Sequence, residues 1–192
     1  MAIQYIQKFP DTAHFPPDLS RASSIGVAGG NLYVGGVVAL APTIPYAQLS
    51  SAVNQQPGVT TPVQVVFATS DLLSNMTVAA GGNITISETG IYLFIAGAQV
   101  GKTGGGGQNV GIDMWMQNNG ADLSNSNVRN SVTEVADTKV VVLNYIVSLT
   151  AGDVVKIMMS VSNTSMGAGL LVTNPVGEAR IPSIIVSIVR VH

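Results

Sequence analysis

The sequence predicts an all-β protein: a jelly-roll sandwich with an extended N-terminal arm and a small hairpin. From about Val63 onward, short apolar runs rich in Val and Ile recur at roughly ten-residue spacing, separated by Gly, Asn and Asp turn signals. Several runs alternate between apolar and polar residues, whereas helical periodicity is nearly absent. About eight or more strands in this arrangement are typical of a sandwich or jelly roll.

The composition indicates a protein that hides much of its surface. Of the 192 residues, 46% are hydrophobic and only 9% are charged, against about 25% charged in an average soluble domain. A monomer of this size needs charge for solubility and to protect its sheet edges. We therefore expect the chain to pack against copies of itself or against other partners.

Net charge and residue usage disfavour several kinds of partner and chemistry. The formal net charge is −2 and the eight Lys and Arg residues are scattered, so no nucleic acid or anionic membrane is expected as a partner. Cys is absent, which removes disulfides and thiolate chemistry. The chain contains no run of about 18 apolar residues, and its N-terminus has no secretion signal pattern. A non-secreted protein without a transmembrane helix is expected.

Three segments are predicted. Residues 1–41 are an arm and hairpin, 42–62 a Pro-rich linker with one helical turn near 47–53, and 63–192 a jelly-roll trimerisation head. Prolines in the arm force extended backbone, so the arm cannot build a core and must either dock on something or stay disordered. Its anchors for docking are Tyr5, Phe9, His14 and Phe15.

Two predicted strands, 90–100 and 184–191, are apolar on both faces. A strand of a two-layer sandwich normally keeps one face in water. These strands are therefore either central strands with strong β propensity or strands of a subunit interface, and the low charge content favours the interface.

An ordered set of motifs carries a resemblance. The segments are NITISETGIYLFIAGAQV, MWMQNNGA, VVVLNYIVSLTAGDVVKIMMS and IPSIIVSIVRVH. Over roughly residues 63–192 they resemble the globular-head jelly roll shared by complement-subcomponent and tumour-necrosis-factor proteins. The matching positions are Thr89, Gly90, Ile91, Tyr92, Phe94, Asn119, Gly120, Leu149, Gly152, Asp153 and Val155.

The resemblance implies a ten-strand jelly roll that packs as a compact homotrimer, with aromatic and aliphatic side chains of the inner sheet against the axis. The residues assigned to this trimer interface are Tyr92, Phe94, Trp115, Tyr145, Ile185 and Val189. The closing strand lacks the family's Phe-Ser-Gly-Phe pattern, and neither a collagen stalk nor an acidic calcium cluster is present. Ligand recognition by complement heads is therefore not carried over.

No catalytic, cofactor-binding or metal-binding residue is assigned, and an enzyme is not expected. Gly101-Lys102-Thr103 lacks the first glycine and the following helix of a phosphate-binding loop. His14 lies in the arm and His192 is the last residue, so neither suits a triad or a metal site. Asp153 is expected to bond to backbone in its turn. Trp115 could stack on a sugar, but core or interface packing is favoured.

The function predicted is structural. The segment GGNLYVGG resembles pieces of bacteriophage fibre and decoration proteins. Together with the trimeric head, this favours a capsid decoration or cement protein on the virion exterior, with the arm contacting the major capsid protein or other virion proteins. The alternative is a trimeric tail-fibre or spike head that binds a host receptor.

Overall fold

The structure is a computed structural model that describes residues 25–28, 31–34, 37–39, 44–135 and 137–192. The chain divides into two compact units, Met1–Thr43 and Ile44–His192. In the described residues of the first unit, where the sequence predicted a small hairpin, three strands pair in order as an antiparallel sheet: β1 (Ile25–Ala28), β2 (Asn31–Val34) and β3 (Val37–Ala39). The arm residues Tyr5, Phe9, His14 and Phe15 lie outside the described residues.

The second unit is built from strands throughout its described residues. They are β4 (Tyr46–Ser51), β5 (Val63–Gln64), β6 (Thr69–Ser74), β7 (Met76–Val78), β8 (Ile84–Ile86), β9 (Gly90–Lys102), β10 (Val110–Asn118), β11 (Ala121–Asp122), β12 (Val128–Val132), β13 (Lys139–Leu149), β14 (Val154–Val161), β15 (Ala168–Leu170) and β16 (Ile184–Arg190). The predicted all-β class is confirmed.

These strands form two antiparallel sheets. Sheet 1 has the order β13-β9-β16-β4-β6, and β15 also pairs with β9. Sheet 2 has the order β11-β10-β14-β8-β7, with β12 pairing β10 and β5 pairing β14. Most neighbours within a sheet are distant in sequence, as they are in a jelly roll. The predicted jelly-roll sandwich is confirmed.

The core lies between the sheets and follows from the period-2 pattern of the strands. On β10 the even-numbered residues from Val110 to Met116 are buried, and on β14 the odd-numbered residues from Val155 to Val161 are buried. On β13, Val141, Leu143 and Leu149 point inward and are buried. These predicted inward faces come together in one hydrophobic cluster.

Polar side chains form hydrogen bonds that stabilise the turn between β13 and β14. The Asp153 carboxylate accepts the backbone N–H of Thr150 at 2.8 Å and the Asn119 side-chain amide at 2.8 Å. The expected bond from Asp153 to backbone is therefore present. These hydrogen bonds favour the ionised carboxylate, and they hold the pKa of Asp153 below its usual range.

Strand β4 corrects the expectation of a helical turn near 47–53. Ala47 and Leu49 are buried while Tyr46 and Gln48 are exposed, which is the alternation of a half-buried strand. β4 pairs with β16 on one side and β6 on the other. The flanking prolines led to the prediction of a linker, but this six-residue alternating run forms a strand of sheet 1.

After β4, Gln55 connects the two sheets. Its backbone forms a bridge with Leu170, with N–O distances of 2.8 and 3.0 Å. Its side-chain amide accepts from Val66 N at 2.8 Å and donates to Val66 O at 3.0 Å. Gln55 thus pairs with β15 of sheet 1 through its backbone and with the segment after β5 through its side chain.

We expect Gln55→Ala to lower the free energy of unfolding by about 1–2 kcal/mol, because both Val66 backbone groups lose their partner. Gln108→Ala, which shortens an exposed glutamine of a loop, should change it by less than about 0.5 kcal/mol. Urea unfolding of both variants measures the difference. Equal stability of the two variants would contradict the role assigned to Gln55.

Candidate functional site

The outer face of sheet 1 exposes many apolar side chains. Residues that point away from the core on β13, β9, β16 and β4 are apolar or uncharged, and with Leu72 of β6 they form what we term the uncharged face. Its apolar members are Tyr46, Leu72, Leu93, Ile95, Val140, Val142, Ile146, Ile185 and Val189. Apart from half-buried Leu93, they expose between 36% and 67% of their surface.

The strand register makes this surface continuous. Ile146 lies beside Leu93, Leu93 beside Val189, and Val189 beside Tyr46, so one row crosses four strands. Neighbouring residues in such rows contact each other laterally. The uncharged face is therefore one patch and not a set of separate exposed residues.

Charge is absent from the middle of this face among the residues that the structure describes. The charged residues of β13, β9, β16 and β4 all lie at strand ends; they are Lys102, Lys139 and Arg190. Lys139 donates to the Ser131 carbonyl at 2.7 Å, and Arg190 pairs with Glu88 at 2.9 Å. Soluble proteins protect exposed sheet surfaces with charge, and this face lacks that protection.

The size of the patch matches a protein interface. From their exposed fractions, its apolar side chains offer roughly 800 Å² to solvent, the area that each partner buries in a standard protein–protein interface. Exposed apolar patches of monomeric proteins are usually smaller, and larger ones mark interaction sites.

The outer face of sheet 2 has the opposite character. Arg129 forms two hydrogen bonds with Asp113, both 2.7 Å long. Lys156 on β14 lies beside Gln117 and is partly exposed. This face carries charges of both signs, as expected of a surface in water. The contrast makes the outer face of sheet 1 the candidate interaction surface.

Trp115 lies on this charged face of sheet 2, and its ring is largely buried. Its indole N–H donates to Asp122 at 2.7 Å, and Gln117 donates to the same oxygen at 2.8 Å. The hydrogen bonds from Gln117 and Trp115 lower the pKa of Asp122. A ring held and covered in this way has no free surface for a sugar to stack on.

The interface role predicted for Tyr92 and Phe94 is corrected. Both side chains have no exposed surface within a single protomer, so they have nothing to offer a second copy. On the two-faced strand β9, the aromatic residues fill the space between the sheets, whereas Leu93 and Ile95 point outward. Aromatic side chains bury the most area, which explains their place in the core.

Of the other four predicted interface residues, two lie on the uncharged face and two do not. Tyr145 packs against the core and donates its hydroxyl to the Ser124 carbonyl at 2.7 Å. Trp115 belongs to sheet 2. Ile185 and Val189 do lie on the uncharged face. Sequence reasoning missed three residues of β13, which were marked only by their apolar character opposite an apolar inner row: Val140, Val142 and Ile146.

The Gly-Lys-Thr motif is occupied by its own loop. The buried Lys102 ammonium donates to the carbonyl oxygens of Gly105 and Gln108. Strand β10 follows the loop, where a phosphate-binding loop would have a helix. The lysine therefore stabilises the glycine-rich loop.

The described part of the chain shows neither a metal site nor a membrane-spanning helix. No cluster of three or more His, Asp or Glu side chains with the spacing of a metal site occurs there. None of its segments forms a helix long and apolar enough to span a membrane.

The two antiparallel sheets and their strand order form a jelly-roll sandwich. Among 237 chains of solved structures that match it is murine APRIL, in a crystal structure at pH 5.0. The TM-score is 0.51 and the identity 12%, over 78% of this chain and 100% of that one. The likeness establishes the fold alone. No family model and no curated protein sequence matches the chain.

Proposed function

We propose that this chain is a non-enzymatic structural protein that assembles as a homotrimer through the uncharged face. The observation that carries the proposal is an apolar, charge-free sheet surface of roughly 800 Å² on a chain with only 9% charged residues. Covering this surface with a second copy removes it from water and requires no desolvation of a charge on the uncharged face itself.

The tumour-necrosis-factor-like fold supports three copies as the stoichiometry, since the resemblance implies a trimer around an axis. A heterologous contact, in which the uncharged face meets a different surface of the next copy, closes into a ring when the rotation is 120°. Three such contacts would cover all three uncharged faces at once.

The finer proposal is a capsid decoration or cement protein on the exterior of a bacteriophage virion. The separate unit Met1–Thr43 supports it, because this unit carries apolar residues among prolines that are suited to docking on another protein. The anchors proposed to contact the major capsid protein or another virion protein are Tyr5, Phe9, His14 and Phe15. The scattered basic residues support protein and not nucleic acid as the partner.

The proposed role of the arm is tested on the full-length chain with purified empty shells of the virus that encodes it. Replacing Tyr5, Phe9 and Phe15 with alanine should weaken co-sedimentation with shells at least about tenfold, because the anchors that bury apolar area are lost. The sedimentation coefficient of the free protein should not change.

A matched control truncates three exposed apolar residues outside the arm and outside the uncharged face: Val53, Val59 and Val176. This variant should bind shells like the native chain. Unchanged shell binding by the arm variant would overturn the arm's role, and binding of the native chain to host cells but not to shells would favour a receptor-binding fibre head.

A further inference from the structure

Gly97 lies in the middle of β9, a central strand of sheet 1. Glycine within a strand loses backbone entropy on folding and contributes no side-chain packing. It is therefore found where the strand bulges, where φ is positive, where a side chain would collide with a neighbour, or where another molecule approaches the backbone closely.

The first three reasons do not apply to Gly97. The pairing of β9 with β13 and with β16 continues through Gly97 without a register shift. Gly97 is not among the described glycines with positive φ. A Cβ atom built on it would meet no heavy atom within 4 Å, so a side chain fits in the protomer.

Other glycines of the same strand do have a reason within the protomer. A Cβ on Gly90 would come within 2.3 Å of Arg190 Nε, and one on Gly101 within 2.7 Å of Leu171 Cδ1. On the outer face of sheet 2, a Cβ on Gly111 would meet Ser162 Oγ at 3.6 Å and Arg129 Nε at 3.8 Å, in ordinary contact. Gly97 differs from these in facing open space.

Gly97 lies at the bottom of a hollow in the uncharged face. Val142 lies beside it on β13 and Ile185 beside it on β16, and both side chains stand exposed. Ile95, two residues earlier on β9, points the same way. Three branched apolar side chains thus surround a floor of bare backbone.

We propose that Gly97 is the point where a second copy of this chain approaches sheet 1 most closely, with an apolar group of that copy seated between Val142 and Ile185. This inference rests on the proposed trimer. A second copy fits as the occupant because the surrounding face is charge-free and its area matches one side of a stable interface. The bare backbone allows a closer approach than any side chain would.

The test compares glycine substitutions on the two outer faces by sedimentation velocity over a range of concentrations. Gly97→Glu should raise the dissociation constant of the assembly at least about a hundredfold, since it fills the hollow and buries an unpaired charge. Gly97→Thr, a strand-favouring residue without charge, should raise it at least about tenfold by bulk alone. Gly111→Glu, next to Arg129, should leave it unchanged.

Far-ultraviolet circular dichroism of each variant should keep the native β spectrum, because the protomer has room for the new side chain. If the native chain assembles and both Gly97 variants assemble equally well, the inference about Gly97 is overturned while the proposed trimer stands. If the native chain is a monomer at every concentration, both the trimer and the role of Gly97 are overturned.

Discussion

Replacing Val142 with glutamate is expected to convert the proposed trimer into folded monomers. Val142 exposes 55% of its surface on the uncharged face, where it lies on β13 beside Gly97. In the assembly a glutamate here would lose its water without gaining a partner, which costs several kcal/mol per subunit. In the free protomer it would stand in solvent, and a charge on an exposed strand costs little.

Size-exclusion chromatography with light scattering at micromolar concentrations measures this effect. Val176→Glu is the matched control, because Val176 is fully exposed and lies in the loop between β15 and β16, outside the residues of the uncharged face. The control should keep the mass of the native assembly. If Val142→Glu also keeps that mass, the uncharged face is not the subunit contact.

The second large effect is a difference in protomer stability between substitutions on the two faces of β9. Phe94→Ala should lower the free energy of unfolding of the protomer by about 3–5 kcal/mol, because it removes a fully buried ring and leaves a cavity. Ile95→Ala, one residue further, should lower it by less than about 1 kcal/mol, because Ile95 faces outward and is already partly in water.

Urea unfolding in the Val142→Glu background measures protomer stability without the contribution of association. In the native background, Ile95→Ala should weaken assembly of the trimer, although it barely changes the free energy of unfolding of the protomer. Similar losses of protomer stability for Phe94→Ala and Ile95→Ala would mean that β9 is covered equally on both faces within one chain, contrary to the structure.

The sandwich could be predicted because the alternation of apolar and polar residues along a strand shows directly that its two faces have different surroundings. The even-numbered residues of 110–116 and the odd-numbered residues of 155–161 could be assigned to inner faces, and both lie in the core. Turn residues such as Asn119 and Asp153 marked strand ends that the structure reproduces. β4 was missed because prolines on both sides outweighed a short alternating run.

The candidate site was only partly predictable for a related reason. Strands 90–100 and 184–191 were recognised as apolar on both faces, and both belong to the uncharged face. Period-2 alternation separates the two faces of a strand but does not say which one points to the core. The resemblance implied Tyr92 and Phe94 as contacts at the trimer axis, although large rings also fill a core best. Only the packing of sheet 1 against sheet 2 decides which face of β9 points to the core.

The mass of the native chain in solution tests the central claim most directly. Sedimentation equilibrium at micromolar concentration should give three times the mass of one chain, and the Val142→Glu variant should give the mass of one chain under the same conditions. A native chain with the mass of a single copy across the whole concentration range would contradict the account.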